Sequence, residues 1–225
     1  MSTIIPCSTL TALVDMIERG DMFFTENFFA RVWPKQANRV DEVLHPIKKE
    51  LFVHVRGTVV EIGPGTGVNF QYFPQDISWN GVEPNRTLRL ALMKHSSLPK
   101  RWQVYDHISA VRDGFADTVV STIVLCSVPD LPLFLHDVLR ILKPGGIFLS
   151  LEHVGAPRGT LHRMLQACIK PISRRIGGGC KPNRDIEEAI RHAGFSKVDC
   201  LFSGNVAITR LPFVKVPIVA LKAVK

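Results

Sequence analysis

The chain has 225 residues, 46% of them apolar, and a formal charge of +8; it can bury a substantial core, and its length suits one large domain better than two. Its longest apolar windows, such as "GIFLSL" and "VPIVAL", fall far short of the ~20 residues that cross a bilayer, so no transmembrane helix is expected. The positive charge attracts any anion, whether nucleic acid, membrane surface or acidic small molecule, and by itself selects none of them.

The N-terminal stretch "MSTIIPCSTLTALVDMIERG" lacks a basic first segment and soon carries Asp15 and Glu18, which argues against a secretory signal or an Arg-rich transit peptide and predicts a cytoplasmic protein. Aromatic residues then crowd together at Phe23, Phe24, Phe28, Phe29 and Trp33. They suit a lid over a ligand with Phe28 and Trp33 as pocket walls, or core packing against a sheet. Val40, Val43, Leu44, Ile47 and Leu51 mark one face of a helix that Pro46 threatens to bend. Residues 1–54 are thus expected to form a helical cap on the domain of residues 55–225.

Thr58 to Ile62 reads as a buried strand, and Asn69 to Phe73 as the start of a helix. A strand over Trp79–Glu83, a helix near Arg86–His95 and a short strand over Trp102–Tyr105 follow. Next come a strand over Asp117–Thr122 and an amphipathic helix capped by Asp130, running through Leu142 and stopped by "KPGG". Gly146–His153 is a fifth strand. Helices near Thr160–Ile176 and Asp185–His192 precede two β-rich segments, Lys197–Phe202 and Lys215–Val224. Alternating strands and crossover helices with a closing pair predict a doubly wound, mostly parallel sheet of seven strands with an antiparallel C-terminal edge strand.

In such a sheet the ligand crevice lies beyond the carboxyl ends of the strands. "VVEIGPGTG" places Gly63, Gly65 and Gly67 there, behind Glu61, where missing Cβ atoms let a ligand lie against the main chain, although a purely structural tight turn has the same sequence. The G-x-G-x-G spacing differs from the G-x-G-x-x-G that holds a pyrophosphate. Glu83 ends the second strand, where a carboxylate accepts hydrogen bonds from both ribose hydroxyls. Asp106 and His107 end the third, where a carboxylate can receive an adenine amino group and a backbone amide can meet the ring; a solvated turn is the alternative for Asp106. The order of these features indicates a phosphate-free nucleoside.

Five cysteines, Cys7, Cys126, Cys168, Cys180 and Cys200, are widely spaced without a C-x-x-C pair. Neither a disulfide framework nor a zinc site is suggested, no metal is expected, and reduced thiols are the default. The basic residues between Arg158 and Arg191 have no interleaved aromatics for stacking on bases, so a solvated helix face is expected there and no nucleic acid is expected as a partner.

"VVEIGPGTG", "GVEPN", "YDHI", "DGFADTVVSTIVLCSV", "LRILKPGGIFLSLEHV" and "AGFSKV" together resemble the motifs of class I S-adenosylmethionine-dependent methyltransferases, over roughly residues 55 to 200. "IVLCSV", "EHV", "GGGCKPNRD" and "ALKAVK" are most similar to the methyltransferase-like thiol S-methyltransferases, although the hydrophobic N-terminal anchor of the membrane-anchored members is missing. The resemblance implies a Rossmann-like fold and S-adenosyl-L-methionine as cofactor, with S-adenosyl-L-homocysteine as product. It implies that Gly63, Pro64, Gly65 and Gly67 wrap the methionine and ribose, and that Glu61 supports the loop and the methionine amine. Glu83 takes the ribose hydroxyls, Pro84 and Asn85 flank the adenine, Asp106 takes its amino group and His107 its ring. Ser121 to Cys126 face methionine and acceptor.

The expected acceptor is a small molecule, best a thiol. Methylation of oxygen, nitrogen or carbon on a natural product, quinone or lipid, or a methyltransferase-like protein without transferase activity, are the alternatives. His153 ends the fifth strand on the crevice side and is the candidate base, or simply hydrogen-bonds nearby backbone. Cys126 reads as a small apolar wall of the acceptor pocket rather than a nucleophile. Oligomeric state is not legible, and the basic C-terminal third leaves room for peripheral membrane contact.

Overall fold

The computed structural model describes residues 22–208 and 215–225, with side chains from Phe28 onward. Residues 1–21 of the expected cap, and the side chains of Phe23 and Phe24, lie outside the described residues.

A long helix α1 (Met22–Phe52) leads into β1 (Thr58–Ile62), β2 (Ser78–Val82), α2 (Arg86–Leu92), β3 (Arg101–Tyr105) and β4 (Ala116–Thr122). Then come α3 (Leu131–Ile141), β5 (Leu142–His153), α4 (Leu161–Ile176), α5 (Ile186–Arg191), β6 (Lys197–Val206) and β7 (Val216–Val224). The strands form one sheet in the order β3-β2-β1-β4-β5-β7-β6. β1 pairs in parallel with both β2 and β4, so the strand order reverses beside it. β7 runs antiparallel between β5 and β6, which sets the antiparallel strand one position in from the edge and makes β6 the edge strand.

The central parallel strands β1, β4 and β5 carry apolar residues on both faces because both are covered, whereas β3 at the edge is largely exposed. One layer packs Leu135, Val138 and Ile141 of α3 and Ile186 and Ile190 of α5 on Val60, Val119 and Phe148. The other packs Leu44, Leu51 and Phe52 of α1 on Val59, Trp79, Val120 and Leu149. α1 runs unbroken through Pro34 and Pro46; each proline removes one backbone N–H bond, and burial of the helix's apolar face outweighs that loss.

Two local expectations are corrected. The helix expected from Asn69 is a single 3-10 turn, Phe70–Tyr72. Pro74 follows at once, and a proline disfavours helical geometry in the residue before it. The helix before "KPGG" ends at Ile141, and β5 begins directly at Leu142. Lys143 to Gly146 form an irregularity inside the β5 span: Ala116 pairs with Leu142 but Thr118 with Ile147, and Gly145 has φ +71°.

The basic region is solvated over much of its length, as expected, with Arg158, Arg174, Arg175 and Arg191 exposed. Arg163 and Arg158 are paired with Asp185, and Arg191 with Glu187. In α4 a polar side chain is turned inward: Gln166, 4% exposed, accepts from the Ala156 N–H at 2.7 Å and donates to the Val154 carbonyl at 3.1 Å. The exposed surface of α4 carries a row of apolar side chains, Leu161, Met164, Leu165, Ile169, Ile172 and Ile176, beside the exposed Arg174 and Arg175.

Candidate active site

The loop after β1 enters the point of strand reversal with Gly63, Gly65 and Gly67 at φ +59°, +57° and +81°. Side-chain-bearing residues rarely take that region. A Cβ on Gly63 would stand 2.7 Å from Val124, and one on Gly67 would collide with the Phe70 ring. These two glycines therefore make room for the protein's own side chains. Gly65 faces α1, where a Cβ would lie 3.3 Å from the Trp33 indole nitrogen.

Trp33 stacks on Phe29, with ring centroids 5.4 Å apart. Phe29 also lies against Gly178, where a Cβ would stand 3.1 Å from its ring. One aromatic pair thus reaches from the glycine loop to the loop after α4, whereas Phe28 is exposed.

Beneath the loop, Glu61 is buried at the end of β1. Its two oxygens accept from the Asn69 amide at 2.6 Å and the Trp79 indole at 2.8 Å. Asn69 also donates to Thr122 at 2.9 Å and accepts from Lys48 at 2.7 Å, and Lys48 is paired with Asp41 on α1. Burial pushes the Glu61 carboxyl up to about 7, against the pull of its two donors and of Lys48. Burial likewise lowers the Lys48 ammonium.

Glu83 follows β2 and is 4% exposed. One oxygen accepts from the Gly65 N–H and the other from the Asn85 N–H, each at 3.0 Å. Burial raises this carboxyl, and the two backbone donors oppose it. The Asn85 side chain caps α2 by accepting from the Leu88 N–H at 3.0 Å. Asp106 and His107 lie exposed after β3, His107 in extended geometry ahead of a 3-10 turn. The strand ends therefore present the glycine loop, Glu83 and then Asp106 along neighbouring strands β1, β2 and β3, in the order expected.

On the other side of the strand reversal, Glu152 of β5 organises the loop after β4. It accepts from the Ser121 hydroxyl at 2.6 Å, and its second oxygen accepts the N–H groups of Val124 and Leu125 at 2.9 and 3.1 Å. The hydroxyl of Ser121 is thus committed to Glu152. Burial pushes Glu152 up to about 8. Ile123, between these anchors, has φ +56° and is the one non-glycine residue in the left-handed region among those described. A β-branched side chain there is strained, and such strain gathers at functional sites.

Cys126 ends this loop, His153 ends β5, and Cys180 follows the three glycines after α4. Cys126 and His153 are buried and Cys180 is half-buried. Their ligand atoms all lie within 4.8 Å of one another, with Cys180 Sγ 3.4 Å from His153 Nε2. The cluster is held by backbone ties: the Lys181 N–H donates to the Cys126 carbonyl at 2.9 Å, and Arg184 donates to the carbonyls of Leu125 and Val128, both at 2.7 Å. A hydrogen bond from the Cys180 thiol holds Cys126 well below the usual thiol range, with His153 adding to the effect, and the same pairing pushes Cys180 up. The imidazole is raised by Cys126 and Glu152 against its own burial.

Sequence spacing offered no zinc motif because these three groups come from three separate elements. Lys48, Asn69, Trp79 and Glu152 have no role in the sequence reading beyond membership of an element or a strand end. For Glu152 a signal existed: an acid in the buried run "FLSLEHV" needs partners.

Comparison with known proteins agrees with this geometry. The methyltransferase-domain family matches residues 33–199. Thiol S-methyltransferase TMT1B of Rattus norvegicus is 34% identical over 176 residues, covering 75% of this chain and 72% of the relative. Human thiol S-methyltransferase TMT1A is 32% identical over 166 residues, covering 67% and 68%. A solved SAM-dependent methyltransferase of Thermotoga maritima, described as a possible histamine N-methyltransferase, shares the fold at TM-score 0.64 and 18% identity, over 88% of this chain and 99% of its own. The chain belongs to the class I S-adenosylmethionine-dependent methyltransferases, and the relatives given above are named thiol S-methyltransferases.

Proposed function

We propose that the protein transfers the methyl group of S-adenosylmethionine to the sulfur of a small thiol, releasing S-adenosylhomocysteine. The observation that carries this reading is the 32–34% identity to proteins named thiol S-methyltransferases over two thirds or more of the chain. The buried Cys126, His153 and Cys180 at the ends of β4 and β5 add soft-atom chemistry on the acceptor side.

Glu83 gives the cofactor its clearest fit. Each of its oxygens accepts one backbone bond, and a carboxylate oxygen has capacity for two, so one site per oxygen remains for a ribose diol. Gly65 donates its N–H to Glu83 and lies against Trp33, so the glycine loop and the lid helix flank the ribose-binding acid. Glu61, ionised, faces the positive methionine end.

The bound cofactor supplies an activated methyl group on a sulfonium. The chain holds the acceptor sulfur in line with that methyl, an alignment that can supply ~7–11 kcal/mol of barrier reduction. Transfer would form the new C–S bond as the sulfonium's bond to the methyl breaks, leaving the electron pair on the donor sulfur and releasing the thiol proton to solvent. The loop Ser121–Cys126, fixed by Glu152, forms the wall between the two reactants.

The N-terminal half of α1 acts as a lid in this reading, its Phe29 and Trp33 spanning the cofactor and acceptor loops. The outward apolar face of α4 supports peripheral membrane contact by a cytoplasmic protein. Incubation with labelled S-adenosylmethionine and separate panels of alkyl thiols, phenols and amines tests the reading. S-adenosylhomocysteine should appear in step with loss of thiol. Turnover confined to phenols or amines would overturn the choice of sulfur.

A further inference from the structure

We propose that Cys126, His153 and Cys180 bind a zinc ion, and that its open fourth position receives the sulfur of the methyl acceptor. The second half of this statement rests on the thiol reading above; the first does not.

Zinc takes thiolate sulfur at about 2.3 Å and imidazole nitrogen at about 2.0–2.1 Å, so two ligands of one tetrahedral ion stand roughly 3.6–3.8 Å apart. The observed group is close to this: 3.4 Å between Cys180 Sγ and His153 Nε2, and all three atoms within 4.8 Å of one another. Two sulfurs and one imidazole nitrogen form a donor set that suits zinc and discriminates against magnesium and calcium. The ligands are pre-assembled, since the Lys181 N–H and the Arg184 guanidinium tie the Cys180 loop to the Cys126 loop by the backbone bonds given above. The four cysteines among the described residues are free thiols, so no disulfide competes for these sulfurs.

Structural zinc sites are closed by four protein ligands, whereas catalytic ones keep a position open. Among the described residues no fourth His, Cys, Asp or Glu joins this group. The nearest carboxylate in sequence, Glu152, has both oxygens engaged by Ser121, Val124 and Leu125. The cluster stands beyond the carboxyl ends of β4 and β5, where the fold places ligands. A thiol entering the open position is deprotonated outright by the ion. Its proton passes to solvent, its sulfur forms the new C–S bond, and the neutral thioether, a weaker ligand, departs. No electron is gained or lost, and no separate base is needed.

Titration of the full chain with cobalt(II) tests the site independently of turnover, because tetrahedral cobalt bound by thiolates absorbs visibly. One equivalent should produce that absorption, and an added alkyl thiol should change it. Both C180S, whose side chain lies in a half-buried loop, and H153A should bind cobalt at least tenfold more weakly while keeping cofactor-dependent heat-stabilisation. Absence of the absorption in protein that binds S-adenosylmethionine, or full thiol turnover in demonstrably metal-free protein, would overturn the proposal. Thiolate absorption without any methylation of thiols by zinc-loaded protein would uphold the ion site and count against the thiol reading alone.

Discussion

Ser121 of β4 and Glu152 of β5 are joined by a 2.6 Å hydrogen bond across the strand pair, and the same carboxylate holds the N–H groups of Val124 and Leu125. A β4 hydroxyl and two N–H groups of the loop after β4 converge on one fully buried acid. Glu152→Ala would leave two backbone N–H groups and a hydroxyl without partners, at about 1–3 kcal/mol each. Its denaturant midpoint should fall by the equivalent of ~3 kcal/mol or more. Glu152→Gln keeps an acceptor for the two N–H groups and an amide that can donate to Ser121, so it should lose less than half as much. Equal losses in the two variants would show that the loop does not depend on these bonds.

Gly65 and Gly114 share nearly the same backbone angle, φ +57° and +58°, in different surroundings. A Cβ on Gly65 would press on Trp33 at 3.3 Å, whereas nothing lies within 4 Å of one on Gly114. Both alanine variants should lose about 1–2 kcal/mol for the left-handed conformation. Only Gly65→Ala should also weaken S-adenosylmethionine binding, by tenfold or more in calorimetry. If Gly114→Ala weakened it equally, the effect would be general destabilisation rather than contact at the loop.

Much of this site was legible because parallel strands buried on both faces read as continuous apolar runs. "TVVEI" and "ADTVVST" announce their strands, and each site acid sits one residue inside or beyond a strand end. What stayed hidden depends on the order β1-β4-β5. Cys126, His153 and Cys180 are 27 residues apart at each step, and only the parallel pairing of β4 with β5 and the return of the α4 loop bring them together. Lys48 falls outside the apolar positions of its helix, so the pattern assigns it no partner; the fold buries it against Asp41 and Asn69. The helix expected near Thr160–Ile176 is present as α4, but a helix assignment alone cannot say which face is turned toward the protein.

Glu61 titrates at about 7 in the folded chain against 4.5 for the free side chain. Between these values the unfolded chain has released a proton that the folded chain retains, so this group's contribution is full below 4.5 and is lost as pH rises through 7. The loss amounts to about 3 kcal/mol. Lys48 and Glu83 are the other charged groups acting on it, Lys48 favouring the anion and Glu83 opposing it. A cofactor carrying an ammonium and a sulfonium favours the ionised acid, so its affinity should rise with pH up to and beyond 7, and binding at pH 6 should release a proton. Calorimetry in buffers of different ionisation enthalpy reads that proton directly. Glu61→Gln should flatten the profile; an unchanged profile in that variant would assign the proton elsewhere.

The outward face of α4 yields the last expectation. The helix holds Arg163, Lys170, Arg174 and Arg175 and no acid, while its exposed apolar row has no partner among the described residues. A basic helix with an exposed apolar face suits the interface of an anionic bilayer. The full chain should sediment with vesicles containing phosphatidylserine far better than with neutral ones. Binding should weaken with salt, as the screening length falls from ~10 Å at 0.1 M to ~3 Å at 1 M. Ile169→Glu with Ile172→Glu alters two exposed positions, so it should abolish sedimentation and leave thermal stability unchanged. If the wild type ignored vesicles and ran as a dimer that these substitutions dissociate, the apolar row would be a contact between two copies of the chain. Vesicle binding unaffected by the substitutions would place the membrane-binding surface on another part of the protein.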